Sequence, residues 1–251
     1  SYKILGGKGI FTYELEKSLI SNNIDLAVHS LKDLPTILKP GLRYLGSPKR
    51  EDARDVFISK KYSSLITVPN KGVIATGSIR RKAQILGLRP DIEVIDVRGN
   101  IDTRLKKLDQ YKWDGIVLAA AGIHRLNLSN LITEYLDYKI HVPAPCQGSL
   151  GIEIASHRND IIEMLQPIIN EEATFISKIE RIFLRSLGGD CTIPVGSYAR
   201  IDGKNIKIIG YISNMEGTSQ VVEQINGDIN IAKSLSKRLA TILLDQINFG
   251  K

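Results

Sequence analysis

The chain has 251 residues, of which 43% are hydrophobic and 24% charged, enough for a sizeable core and too ordinary a charge content for a disordered segment. An excess of 34 Lys and Arg over 27 Asp and Glu gives +7 at pH 7, which favours an anionic partner but leaves nucleic acid, membrane surface and acidic metabolite all open. No apolar run approaches membrane-spanning length and no signal peptide opens the sequence. Two distant cysteines, Cys146 and Cys191, exclude a disulfide framework, lack metal-ligand spacing and suit a reducing cytosol.

The opening Ser1 to Gly9 is loop-like, with Gly6, Gly7 and Gly9 around Lys8. Phe11 to Ser21 then carries Phe11, Leu15, Leu19 and Ile20 on one helical face. Leu26 to Val28 reads as a short buried strand running into His29, Ser30, Lys32, Asp33 and the strand-breaking Pro35. Polar groups are thus delivered at the carboxyl end of a strand, where open α/β sheets bind ligands; the plainer reading is a solvated turn. Leu42 to Leu45 is a further short strand, and the charged run Lys49 to Asp55 reads as an interdomain hinge or a solvated loop. Strands at 56–59, 73–76, 92–97 and 115–120 then alternate with helices at 78–86 and 100–108 and a short helix or turn near 123–126. Such alternation implies a parallel or mixed sheet flanked by helices.

A Pro-rich crossing, His141 to Gly148, precedes a strand at 150–155 and a helix at 159–169, so the chain is able to return to its first domain. Helix 171–187 is broken by Leu187-Gly-Gly-Asp-Cys-Thr-Ile-Pro194. Strands at 195–201, 206–213 and 219–225, separated by turn signals, and a final helix at 230–247 describe a small α+β domain.

The arginines are oddly placed. Ser78 is a natural N-cap, yet Arg80 and Arg81 follow in the first helical turn, where the helix dipole disfavours cations. A bound carboxylate or phosphate would resolve the conflict; otherwise both side chains bend into water. Arg98 stands at the next strand end, Arg104 one turn into the next helix, and Arg125 follows the third strand. With Lys8 and Lys32 opposite, this pattern suits an acidic small molecule. Gly6-Gly-Lys-Gly9 lacks the full P-loop pattern. Nucleic acid is disfavoured, since the basic residues form no stripe and the single Trp and few other aromatics offer little base stacking. Cys191, in a glycine-flanked loop, is either an attachment point or nucleophile or a small buried hydrophobe. The histidines His29, His124 and His141 are scattered, and neither a metal set nor a Ser-His-Asp triad is supported.

Taken in order, Gly6-Gly-Lys-Gly-Ile-Phe11, Ala27-Val-His-Ser-Leu-Lys-Asp-Leu-Pro35, Arg50-Glu-Asp-Ala-Arg-Asp55 and Thr76-Gly-Ser-Ile-Arg-Arg81 make one signature. Arg98-Gly-Asn-Ile-Asp-Thr-Arg-Leu105, Ala121-Gly-Ile-His-Arg-Leu126, Pro143-Ala-Pro-Cys-Gln-Gly148 and Gly188-Gly-Asp-Cys-Thr-Ile-Pro-Val-Gly-Ser197 extend it. Their joint order and spacing resemble the porphobilinogen deaminase (hydroxymethylbilane synthase) family of tetrapyrrole biosynthesis, from about Gly6 to the C-terminus.

The resemblance implies an α/β protein with two domains like a type II periplasmic binding protein around a cleft, plus a small α+β C-terminal domain. The divisions expected are 1–50 with 146–169, then 54–143, then 171–251 as the cofactor-anchoring domain. It implies a monomeric cytoplasmic transferase, without nucleic-acid or membrane partners or a metal, that joins four porphobilinogen molecules head to tail, releases ammonia each time and yields hydroxymethylbilane. A dipyrromethane cofactor primes the chain through a thioether to a cysteine, by position Cys191. The catalytic aspartate matches Asp33, which would assist loss of the amino group and stabilise the cationic methylene-pyrrolenine. Arg80, Arg81, Arg98, Arg104 and Arg125 would bind acetate and propionate groups, with Lys32, Ser78 and Gln147 in the same cleft and Lys8 and Phe11 at the edge of a mobile loop.

Two departures accompany the resemblance. The family's opening strand and helix, with an Ile-Gly-Thr-Arg-x-Ser type motif, have no counterpart, which implies a first domain short of one core strand and impaired activity if the chain is whole. Leu-Gly-Gly-Asp also stands before Cys191 where an acidic residue and two glycines are common. Two other classes are weighed against the enzyme: a two-domain binding protein for an anionic small molecule, which has no need of Asp33, a loop cysteine or a third domain, and a nucleic-acid-binding protein, supported only by net charge.

Overall fold

The structure is a computed structural model and describes residues 9–188 and 193–247. Its elements are α1 (Gly9–Ile20), β1 (Ala27–Ser30), β2 (Leu42–Gly46), β3 (Asp55–Ile58), β4 (Val73–Ala75), α2 (Ile79–Leu88), β5 (Glu93–Ile95), α3 (Ile101–Gln110), β6 (Gly115–Ala119) and α4 (Ala120–Arg125). There follow β7 (Glu134–Tyr135), β8 (Leu150–Ala155), α5 (Asn159–Leu165), α6 (Glu171–Ser186), β9 (Val195–Asp202), β10 (Asn205–Ser213), β11 (Gln220–Asp228) and α7 (Ala232–Gln246).

Three sheets result. The first has the order β1-β8-β2, with β8 antiparallel to both neighbours, so the chain leaves after β2 and returns to the same sheet. The second has the order β5-β4-β6-β3-β7. In it β4 runs parallel to β5 and β6, and β3 antiparallel to β6 and β7, the mixed sheet that the strand-helix alternation implies. The third is the antiparallel meander β11-β10-β9, covered by α6 and α7.

Local chemistry fixes the helix starts. Asn100 accepts the amide of Thr103 at 2.9 Å and Asn170 that of Ala173 at 2.8 Å, each satisfying a donor that the first helical turn leaves open. In the third unit Ile179 and Phe183 of α6 and Leu239 and Leu243 of α7 are fully buried against Ile206, Ile208 and Ile212. Each such side chain contributes about 1.5–3 kcal/mol on burial. Gly210 lets both helices approach: a Cβ there would lie 2.7 Å from Leu243 and 2.8 Å from the Phe183 ring.

Several boundaries differ from the sequence expectation. β1 is shifted and is not uniformly buried, because among the described residues it lies at the sheet edge: Ala27 and His29 are buried while Val28 is 55% exposed. Helix 159–169 stops at Leu165 and continues as a short 3-10 turn, since Pro167 cannot donate to the helical ladder. β7 is two residues long, too short for any periodicity. The charged run 49–55 is not a solvated loop. Asp55 opens β3 with no exposure, and Arg50 donates twice to the buried Glu180, at 2.8 and 3.1 Å. The two crossings lie side by side. Glu51 N donates to Gly148 O, and Gly148, at φ +86°, comes so close that a Cβ would sit 2.4 Å from the Glu51 carbonyl oxygen.

Candidate functional site

After β1, residues Leu31–Asp33 form one 3-10 turn. Leu31 and Leu34 are buried and pin the turn, Leu31 N donates to Ser149 O at 3.0 Å, and the polar pair between them faces outward. Asp33 is exposed and Lys32 half-buried. Burial and the nearby Arg81 guanidinium pull the Lys32 ammonium down to about 8, against the opposing pull of Asp33 and Asp55.

Facing this turn is the N-terminus of α2. Ser78 caps it, accepting Arg81 N at 3.4 Å. Arg80 and Arg81 are only 4% and 5% exposed, so neither bends into water. Their partner is Asp55. Arg80 donates to Oδ2 at 2.7 Å, and Arg81 Nε donates to Oδ1 at 2.9 Å. Gln147 Nε2 also donates to Oδ1, at 2.8 Å, and His141 Nδ1 lies 3.0 Å from Oδ2. Burial alone would raise the Asp55 carboxyl, but the two guanidinium groups outweigh it and hold it well below the usual carboxylate range.

The sequence sets a bound anion against side chains bent into water; the structure rules out the second and supplies an internal carboxylate, Asp55, that neither alternative names. Asp55 stands in Arg50-Glu-Asp-Ala-Arg-Asp55, 25 residues before Arg80 in the chain, and meets it only through the tertiary fold. One carboxylate nonetheless serves two guanidinium groups, and Arg80 Nε is buried with no hydrogen-bond partner among the described residues. With one carboxylate between them, the two guanidinium groups keep a net positive charge.

Lys32, Asp33, Ser78, Arg80, Arg81, Arg104 and Gln147 line one cavity of about 420 Å³. A smaller cavity of about 150 Å³ shares Lys32, Arg81, Arg104 and Gln147 and adds Arg125. Arg104 is aimed by a bond from Nε to Gly99 O, and Arg125 by one to Gly148 O. Arg98 is not brought to either cavity lining; its side chain is 91% exposed and meets Asp96 at 3.2 Å. Lys8 and Cys191 lie outside the described residues, as does the Phe11 side chain. Leu184, Ile193 and Val195, which bracket Cys191 in the sequence, line the larger cavity. Sequence reasoning missed Asp55 and His141, and also Glu180 and Arg181, which look in sequence like ordinary polar positions of a helix. An exposed carboxylate ringed by fixed cations is able to hold a polyanionic small molecule and to stabilise positive charge developing beside the carboxylate.

The family model described as "Porphobilinogen deaminase, dipyromethane cofactor binding domain" matches residues 1–163, and the model of the family's C-terminal domain matches 174–245. Porphobilinogen deaminase of Clostridioides difficile is 41% identical over 96% of this chain and 81% of its own length. That of Syntrophomonas wolfei is 40% identical over 96% and 79%. Among solved structures, a periplasmic substrate-binding protein from Coxiella burnetii is 11% identical over 66% of this chain and 79% of its own, with a TM-score of 0.42. The Salmonella typhimurium periplasmic binding protein STM4351 is 13% identical over 66% and 71%, with a TM-score of 0.37. The two family models together span both α/β sheets and the C-terminal meander, and the chain belongs to the porphobilinogen deaminase family.

Proposed function

We propose that this chain condenses four porphobilinogen molecules head to tail into hydroxymethylbilane, with Asp33 as the catalytic carboxylate and with its dipyrromethane cofactor joined by a thioether to Cys191. One observation carries the reading. Asp33 shares a single cavity with Lys32, Arg80, Arg81 and Arg104, and residues on both sides of Cys191 in the sequence complete its wall.

The residues present fit a carboxylate-bearing dipyrromethane. The unpartnered Arg80 Nε and the clustered cations offer charge-assisted donors, and the adjoining cavity at Arg125 extends the same chemistry. When bound, the cofactor supplies the pyrrole carbon at which chain growth starts. The protein's part is positional and electrostatic. Arg80 and Arg81, held by Asp55, together with Lys32, Arg104 and Arg125, bind acetate and propionate groups; Ser78 and Gln147 hold the arginine wall in place. Asp33 sits where positive charge develops as the substrate amino group leaves as ammonia, and it lowers the energy of that charge. Arg98, exposed outside the cavities, is assigned a lesser carboxylate contact, and Lys8 and Phe11 the loop at the site's edge. Cys146 is unsuited to attachment. It is 2% exposed, and burial pushes its thiol up to about 12, which keeps it protonated and unreactive.

The domain division that goes with this function is 1–50 with 146–169, then 54–143, then 171–251, with the cleft between the first two. The protein acts as a cytoplasmic monomer on porphobilinogen, without nucleic-acid or membrane partners; among the described residues no helix is long and apolar enough to cross a membrane. Intact-mass spectrometry tests the attachment. The purified protein is expected to exceed its sequence mass by one dipyrromethane and to turn pink with acidic aldehyde reagent. Cys191→Ser should lose both properties, and a Cys191→Ser protein that kept the adduct would refute the assignment.

A further inference from the structure

Helix α6 carries a polar stripe beside its apolar one, buried at Thr174, Ser177 and Arg181 and exposed at Arg185. Thr174, Ser177, Arg181 and Arg185 follow one another at intervals of three or four residues and so share a face. Thr174 Oγ1 accepts Ser47 N at 2.9 Å, and Ser177 Oγ donates to Ser149 Oγ at 3.2 Å. At the helix's C-terminal end the partners change character. Arg181 donates to Leu34 O at 3.0 Å and to Pro35 O at 2.5 Å, and Arg185 donates to Thr36 O. Three consecutive carbonyls, the first immediately after Asp33, are therefore gripped by two guanidinium groups on one helix.

Arg181 is an expensive residue to place there. It is 7% exposed, and its contacts at the turn are carbonyl dipoles rather than a carboxylate. Among the described residues no carboxylate pairs with it, and a buried cation in that position is destabilising unless its hydrogen bonds compensate. A shorter polar side chain would hold the helix against the first sheet at lower cost, as Thr174 and Ser177 do two turns and one turn earlier. What a planar fork adds is two parallel donors at fixed separation, matched to two successive carbonyls, which a lysine ammonium does not reproduce. The helix carrying this fork ends at Ser186, five residues before Cys191.

We infer that Arg181, assisted by Arg185, is a positioning residue for the condensation: it fixes the turn that carries Asp33 to the helix that leads into Cys191. The proposal rests on the assignment of Asp33 made above and adds a device that holds its turn against α6. Its action is through the backbone of residues 34–36 and not through contact with substrate. Arg181 lies in the lining of a separate groove, with Tyr44 and Ile182, and is absent from the lining of the Asp33 cavity.

The test compares cofactor-loaded, full-length Arg181→Ala, Arg181→Lys, Arg185→Ala and Asp33→Ala proteins in steady-state assays with porphobilinogen, with loading checked by intact mass. Arg181→Ala is expected to lower kcat at least tenfold while KM stays within twofold. Arg181→Lys should recover less than half of the loss, and guanidinium ion added to Arg181→Ala should restore activity where added ammonium does not. Arg185→Ala, a change at an exposed side chain, keeps the fold and should lower kcat about threefold at constant KM. It therefore carries the test if Arg181→Ala fails to fold. Arg185→Ala and a folded Arg181→Ala with wild-type kcat, or a loss confined to KM, would overturn the inference while leaving Asp33 untouched. An Asp33→Ala protein that kept wild-type turnover would instead remove the assignment on which the inference rests.

Discussion

The two walls of the cleft are built on opposite plans. On the α2 wall, Arg80 and Arg81 are buried, and Asp55, Gln147 and His141 crowd around one another, so the fold alone sets the positions of these cations. On the opposite wall Asp33 is exposed at the end of a three-residue turn, whose backbone is set by the buried leucines on either side and by the grip of α6 on the carbonyls that follow. The contrast separates two tasks. Binding carboxylates is best done by groups whose reorganisation is complete, whereas a carboxylate that meets a developing cation must face the cavity.

The largest expected effect breaks the exposed wall chemically. Asp33→Ala should lower kcat by at least about 100-fold, in the range seen when an electrostatic stabiliser is removed, with an unchanged melting temperature. Steady-state assays and thermal melts check both halves. The opposite wall should break structurally. Asp55→Asn leaves two buried guanidinium groups without their carboxylate and should cost about 3–5 kcal/mol, read by chemical denaturation. A small loss there would mean that the arginines swing out to water and that the wall is not preset.

A milder test sharpens the boundary of the site. Arg104→Ala should raise KM about tenfold, as expected for loss of a charge-assisted hydrogen bond worth about 1.5–3 kcal/mol. Arg98→Ala, at an exposed position outside both cavities, should change it less than about twofold, the usual scale for a surface ion pair. The smallest effect is a pH dependence. The Lys32 ammonium is charged below about 8 in the folded chain, so affinity for carboxylate ligands should fall as pH rises through that value, and Lys32→Arg should abolish that limb. The same shift acts on stability in the opposite sense. Between about 8 and 10.5 the unfolded chain holds a proton that the folded chain has released, so this group's contribution to stability rises with pH across that window.

Much of the architecture was legible because periodicity and caps are local. Ser78 and Asn100 mark helix starts, and the α6 apolar face marks a core helix, without any knowledge of partners. The arginine pair was legible as an anomaly but not as a solution. A cation in the first turn of a helix is a local fact, while its partner Asp55 is reached only through the tertiary fold. Arg181 was invisible for the same reason, since its partners are backbone carbonyls, which leave no trace in side-chain identity. Arg98 shows the converse: its sequence position matches the pattern of the other arginines, yet it stands three residues beyond the end of β5 and its side chain is in solvent.

The most direct test of the account follows chain growth itself. Wild-type and Asp33→Ala proteins are mixed with porphobilinogen, quenched at intervals and weighed intact by mass spectrometry. The wild-type protein is expected to show a ladder of masses rising by one pyrrole unit at a time from its resting mass, and the Asp33→Ala protein to remain at the mass with which it started. A ladder that climbs at the wild-type rate without the Asp33 carboxylate would contradict that expectation.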